Sequence, residues 1–233
     1  MFIPLYDGHP LRRIARPWVN WSLIGVTVAT WAVFQSGFVI DAFQASVISF
    51  GMIPAVLFEH ASLPLGYEQV PSELTLVTSI FLHGDVLHLA GNMMFLWVFG
   101  DNLEDAMGHL RYLVFYLLCG AAAAGAHALA VPVSEAPLVG ASGAIAGIVA
   151  GYLLLHPNVR IWILALGRIP LRLNAGWVIG IWLALQVFNL VGSGPEEEVS
   201  WWAHIGGFAA GLVLTPLMKA REVRLFDRPA APG

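Results

Sequence analysis

Apolar residues in this chain come in runs too long for strands and too continuous for surface helices. Six stretches read as membrane spans: 17–36, 85–103, 110–131, 138–156, 174–192 and 199–218. Each is near the ~20 residues that carry a helix across a hydrocarbon core of ~30 Å. The second is the weakest by hydropathy, because only 86–100 lies between flanking acids. One long connection, 37–84, holds an apolar stretch at 47–58 and is broken by Pro54, Pro64 and Pro71. A loop this long without a purpose is uncommon, and its apolar content puts it in the interface, not in water. It reads as a brace or a lateral gate, with the brace the better fit.

Composition narrows the class. Of 233 residues, 58% are hydrophobic and 11% charged, against roughly a quarter charged in a soluble domain. The pattern predicts one all-α, polytopic membrane domain over 17–218, after a short leader at 1–16 too small to fold alone and before a tail at 219–233. The first apolar run is too long for a cleavable signal and lacks a small-residue cleavage site. The single cysteine, Cys119, excludes an internal disulfide and a cysteine-cluster metal site.

Charge orients the spans. Arg12, Arg13 and Arg16 precede the first, and Arg111 follows the second. Arg160, Arg168 and Arg172 lie between the fourth and fifth, and Lys219, Arg221, Arg224 and Arg228 follow the sixth. All 11 cationic side chains therefore share one side, which the positive-inside rule makes cytoplasmic, both ends of the chain included. The opposite side carries acids only, among them Asp41, Glu59, Glu68, Glu73, Glu135 and residues 196–198. This is the signature of a bilayer partner and not of a nucleic acid.

Spans two, four and six, all running inward, carry polar residues within about two turns of their outer ends, a depth under about 12 Å. Span two opens at Asp85, a natural N-cap, and places His88 and Asn92 four apart on one helix face. Span four opens at Ser142, with Gly143, Gly147 and Gly151 leaving one face bare for a close neighbour. Span six offers His204 beside a second small-residue stripe, Ala203, Gly207 and Gly211. Span five offers Trp177, Trp182, Gln186 and Asn189, followed by a turn-forming loop at 192–195 through which water would reach Ser142. Trp201 and Trp202 mark the outer interface. At the opposite end, Glu104 and Asp105 are expected to bond loop backbone.

Polar groups at membrane depth face a cavity or one another. A serine beside an imidazole suits acyl transfer. The oxyanion then needs donors, supplied by the Ser142 backbone N–H at a helix start and the side chains of His88 and Asn92. No acid lies in spans four or six, so a Ser-His dyad fits and a triad does not. Taken singly, Ser142 reads as a cap, His204 as an interhelical hydrogen bond and Asn92 as packing glue; the joint pattern reverses those readings.

Gly140-Ala141-Ser142-Gly143, with His88-xxx-Asn92 before it and Ala203-His204-Ile205-Gly206-Gly207 after it, resembles the rhomboid family of intramembrane serine proteases over residues 72–218. Gly100-xxx-Glu104-xxx-Gly108 resembles a structural signature of that family. The resemblance implies a six-helix core, Ser142 as nucleophile, His204 as general base, and His88, Asn92 and the Ser142 amide in the oxyanion hole. It implies transmembrane protein substrates, a prokaryotic plasma membrane, and neither cofactor nor metal. One position departs from the family: the aromatic residue usual one turn after the serine, under the histidine, is Ala146 here. Two rival readings are a non-catalytic relative that binds membrane clients, and a transporter or metal channel built on His83, His88 and His204.

Overall fold

In a computed structural model, the described residues are 2–165, 167–192 and 201–226. The loop expected at 193–195 and the acids at 196–198 lie outside them, as does Arg228. The helices come in chain order as α1 (Trp18–Thr30, continued by a π-helical turn Trp31–Gln35), α2 (Phe43–Phe50), α3 (Pro54–Leu57), α4 (Thr75–Thr78, with 3-10 turns before and after), α5 (Val86–Met107), α6 (His109–Ala130), α7 (Ser142–Leu155), α8 (Ala175–Gly192) and α9 (Trp201–Met218). They form the helical membrane bundle that the hydropathy predicts.

Among the described residues three helices, α6, α8 and α9, are each long and apolar enough to span a bilayer, and 72–81 with α5, bent by 84°, meets the same test when the pair is counted as one span. The expected fourth span differs. Of 138–156 only 14 residues are helical, about 21 Å at ~1.5 Å per residue. Residues 138–140 lie outside the helix instead: Leu138 exchanges both backbone bonds with Met52, and Gly140 N–H donates to the Ser79 carbonyl. Helix α7 therefore begins inside the bundle, held by the long 37–84 connection. Thr78 Oγ1 fastens that connection internally to the Phe50 carbonyl.

The two glycine stripes meet. A Cβ placed on Gly207 would lie 2.0 Å from the Gly143 carbonyl oxygen, and one on Gly211 would lie 2.3 Å from that of Gly147. Helices α7 and α9 thus touch backbone to backbone, as small-residue faces allow. Helix α6 closes the third side, where Cys119 and Ala123 fill the space over Gly147 and Gly143.

One layer was not in the sequence reading. Strands β1 (Phe2–Tyr6), β2 (Arg160–Ala165) and β3 (Ile169–Asn174) form an antiparallel sheet in the order β1-β2-β3. The leader, expected to be too small to fold alone, contributes β1 as the edge strand of this sheet. The cause is a period-2 pattern in β2, where Ile161 and Ile163 are buried between exposed Arg160 and Trp162. That pattern sits on a segment where charge alone suggested a loop.

The Gly100-xxx-Glu104-xxx-Gly108 signature acquires a physical account. Glu104 is fully buried, and its two carboxylate oxygens accept the N–H groups of Val19 and Asn20 at 3.0 and 2.7 Å. These belong to the first turn of α1, whose own preceding residue, Pro17, supplies no side-chain cap. Gly100 leaves room for Asn20 and Tyr112, whose atoms would lie 2.1 and 2.6 Å from a Cβ there. Gly108 turns the chain at φ +81° between α5 and α6. Asp105 accepts backbone N–H groups of Arg12, Arg13 and Ile14 in the leader. The acids do bond backbone, Glu104 as a cap donated across helices.

Candidate active site

Ser142 is the first residue of α7, after Ala141. Its side chain makes no cap. The hydroxyl instead lies 2.9 Å from His204 Nε2, a ring in the first turn of α9. The α7 ladder opens with Ile145 N–H donating to the Ala141 carbonyl. The N–H groups of Ser142, Gly143 and Ala144 thus precede it, the donor-rich, electropositive end of a helix.

His204 is held from two other directions. The side-chain amide of Gln186, on α8, lies 2.8 Å from Nδ1. Trp182, one turn before Gln186, has its ring 6.1 Å away, and the Trp201 ring is 5.9 Å away edge-on. Ala146, at the position of the missing aromatic, is fully buried. Aromatic support for His204 in this chain comes from α8 and α9, not from α7.

His88 and Asn92 stand on α5, aimed by the cap that the sequence predicts. Asp85 Oδ1 accepts from Leu87 and His88 N–H at 2.7 and 2.9 Å. Both side chains converge on Gly140. A Cβ there would meet His88 Cε1 at 2.8 Å, His88 Nε2 at 2.9 Å and Asn92 Nδ2 at 3.9 Å, and the residue has φ +127°. Glycine at 140 is required twice, by conformation and by the approach of His88. All four predicted site residues are thereby brought to one place: Ser142 and His204 in direct contact, His88 and Asn92 beside the turn leading into Ser142.

His83 adds a residue that the sequence reading gave only to a metal channel. It is fully buried, and its Nε2 lies 2.9 Å from Asn92 Nδ2. Its ring packs against His88 with 5.1 Å between centroids, while its own N–H donates to Gln35 Oε1. An amide nitrogen has two hydrogens, so Asn92 keeps one for another acceptor. The five-residue spacing to His88 across the Gly84-Asp85 cap is the signal for it. Among the described residues no three His, Cys, Asp or Glu side chains group as a metal ion would need.

Residues 71–221 match the family model described as Rhomboid domain. The chain belongs to the rhomboid family. RHOMBOID-like protein 5 of Arabidopsis thaliana is 32% identical over 140 residues, 60% of this chain and 42% of its own length. Rhomboid protein 1, mitochondrial, of Saccharomyces cerevisiae is 29% identical over 153 residues, 63% of this chain and 42% of its own. RHOMBOID-like protein 12, mitochondrial, of Arabidopsis thaliana is 26% identical over 228 residues, 85% of this chain and 61% of its own. This rhomboid-family chain spans about two fifths of the length of the first two. It is a multi-pass membrane protein, and its matched region holds every residue of the site.

Proposed function

We propose that the chain is an intramembrane serine endopeptidase working through a Ser142–His204 dyad. The observation that carries this is the 2.9 Å contact between His204 Nε2 and Ser142 Oγ at the start of α7. In the reaction, Nε2 takes the Ser142 hydroxyl proton as Oγ attacks a peptide carbonyl carbon. Negative charge on the carbonyl oxygen is met by the Ser142 N–H, the second N–H of Asn92 and the His88 ring. His204 then gives the proton to the departing amine, and a water repeats the sequence on the acyl-enzyme. The substrates are transmembrane proteins, cut within or beside a spanning segment.

The proposed setting is a plasma or inner membrane with residues 1–16 and 219–226 in the cytoplasm. Support comes from the arginines and from contacts at one end of the bundle. There β1 pairs with β2, and Arg13 meets Glu222 at 2.8 Å. The dyad lies at the other end of α7, near the outer face. A fluorophosphonate reagent tests the assignment. It is expected to label the wild-type chain on Ser142 and to label His204→Ala at a small fraction of that rate. Equal labelling of both would remove the dyad.

A further inference from the structure

A dyad works only if the neutral imidazole keeps its proton on Nδ1, leaving Nε2 free to accept from Ser142. Which nitrogen carries the proton is set by what the other nitrogen meets. On Nδ1 that group is the amide of Gln186, 6% exposed, whose nitrogen Nε2 is the end placed 2.8 Å away. The two ends of an amide have the same shape and are told apart by their hydrogen bonds alone. With the nitrogen toward Nδ1, Gln186 donates, the ring proton moves to Nε2, and His204 is unable to accept from Ser142. With the oxygen toward Nδ1, Gln186 accepts the ring N–H and Nε2 is free.

Resting on the protease reading, we propose that Gln186 is the positioning residue of the dyad: its side-chain oxygen accepts Nδ1–H of His204 and holds the tautomer able to take the Ser142 proton. When that proton transfers, the Oγ–H bond breaks and Nε2–H forms. The resulting imidazolium keeps Nδ1–H on the Gln186 oxygen, and its second proton later leaves with the amine. Trp182, one turn away on the same face of α8, fixes the ring plane from the side. A neutral amide suits this depth, where a carboxylate would carry the cost of a buried charge. It fills the place that an acid holds in a triad.

The test uses the full chain in proteoliposomes and, for spectroscopy, in micelles. Gln186→Met keeps the volume and removes the acceptor. It is expected to lower kcat about 10- to 100-fold, within what a positioned general base contributes, with KM unchanged. Nitrogen NMR of 15N-histidine chain, with His204 assigned from His204→Gln, is expected to show Nδ1–H in the wild type and a mixture of tautomers in Gln186→Met. Gln186→Glu offers an acceptor oxygen in either protonation state and is expected to stay within a few-fold of wild type in kcat. Wild-type kcat and tautomer in Gln186→Met would overturn the proposal. So would Gln186→Glu as impaired as Gln186→Met with the tautomer unmoved, which is what a packing role produces. Should Gln186→Met not fold, the wild type and Gln186→Glu decide: Nε2–H in the wild type, with Nδ1–H appearing only in Gln186→Glu, means that the amide donates and overturns the proposal. A wild-type chain without turnover or Ser142 labelling would instead refute the protease reading, with the tautomer still judging Gln186.

Discussion

The oxyanion donors make the sharpest predictions at the scale of single residues. In the proposed role Asn92 meets charge that exists only in the transition state, so Asn92→Ala is expected to lower kcat with little change in KM. The loss is at most about 3 kcal/mol, the typical value for one donor, and smaller in so far as His88 and the Ser142 amide compensate. Steady-state kinetics on a single-span substrate check it; poorer KM at unchanged kcat would make Asn92 a substrate-positioning group. Gly140→Ala is expected to cost activity beyond stability, since its Cβ would press on the His88 ring in a backbone conformation disfavoured for alanine. Comparing thermal midpoint with turnover measures both. The four site residues were legible in the sequence because each sits at a helix start or at i, i+4 beside one. The Gln186–His204 and His83–Asn92 pairs were not, because they join residues whose separation carries no period. For Gln186 the sequence offered only a polar residue in an apolar span, and only the packing of α8 against α9 showed its partner.

At the scale of elements, the glycine stripes carry the geometry that joins Ser142 to His204. Valine at Gly207 meets the Gly143 carbonyl, which cannot move without moving α7, whereas valine at Gly147 first meets the Cys119 side chain. Both are expected to destabilise by about 1–3 kcal/mol, the range for overfilled interiors, with Gly207→Val the worse. Activity should fall further than stability, because about 1 Å of misplacement can cost roughly a hundredfold in rate. Gly180→Val, where a Cβ meets nothing within 4 Å, is the control expected to be mild in both assays. The stripes were visible in the sequence as small residues every fourth position. The sheet was not, since β2 and β3 are short, carry arginines and follow an apolar helix, which together resemble an inner loop. Helix α7 is also shorter than hydropathy suggests: residues 138–140 are as apolar as a helix, but bonds from Leu138 to Met52 and from Gly140 to Ser79 hold them outside it.

At the scale of the whole molecule, the leader is part of the fold. Asp7 follows β1 and is buried, where it accepts from Asn102 at 2.7 Å and from Tyr152 at 2.9 Å, the latter on α7. Burial pushes its carboxyl above the ordinary range, against the hydrogen bonds from Tyr152 and from the His9 backbone N–H. The folded chain therefore holds a proton that the unfolded chain releases near the usual carboxyl pKa. Stability is expected to fall as pH rises from there through the raised value. Asp7→Asn should flatten that slope in thermal melts taken across the acidic range, and an unchanged slope would place its origin elsewhere. The helical membrane class and the order of the long helices were legible from hydropathy. The tie between leader and bundle was not, because a lone aspartate in a polar segment looks solvated until its partners are known. The central claim, that Ser142 and His204 act as one catalytic unit, is tested most directly by cleavage of single-span proteins in proteoliposomes. Turnover is predicted for the wild type and for none of Ser142→Ala, His204→Ala or the double variant, the double being no worse than either single. Clear turnover by purified, folded Ser142→Ala would contradict the account.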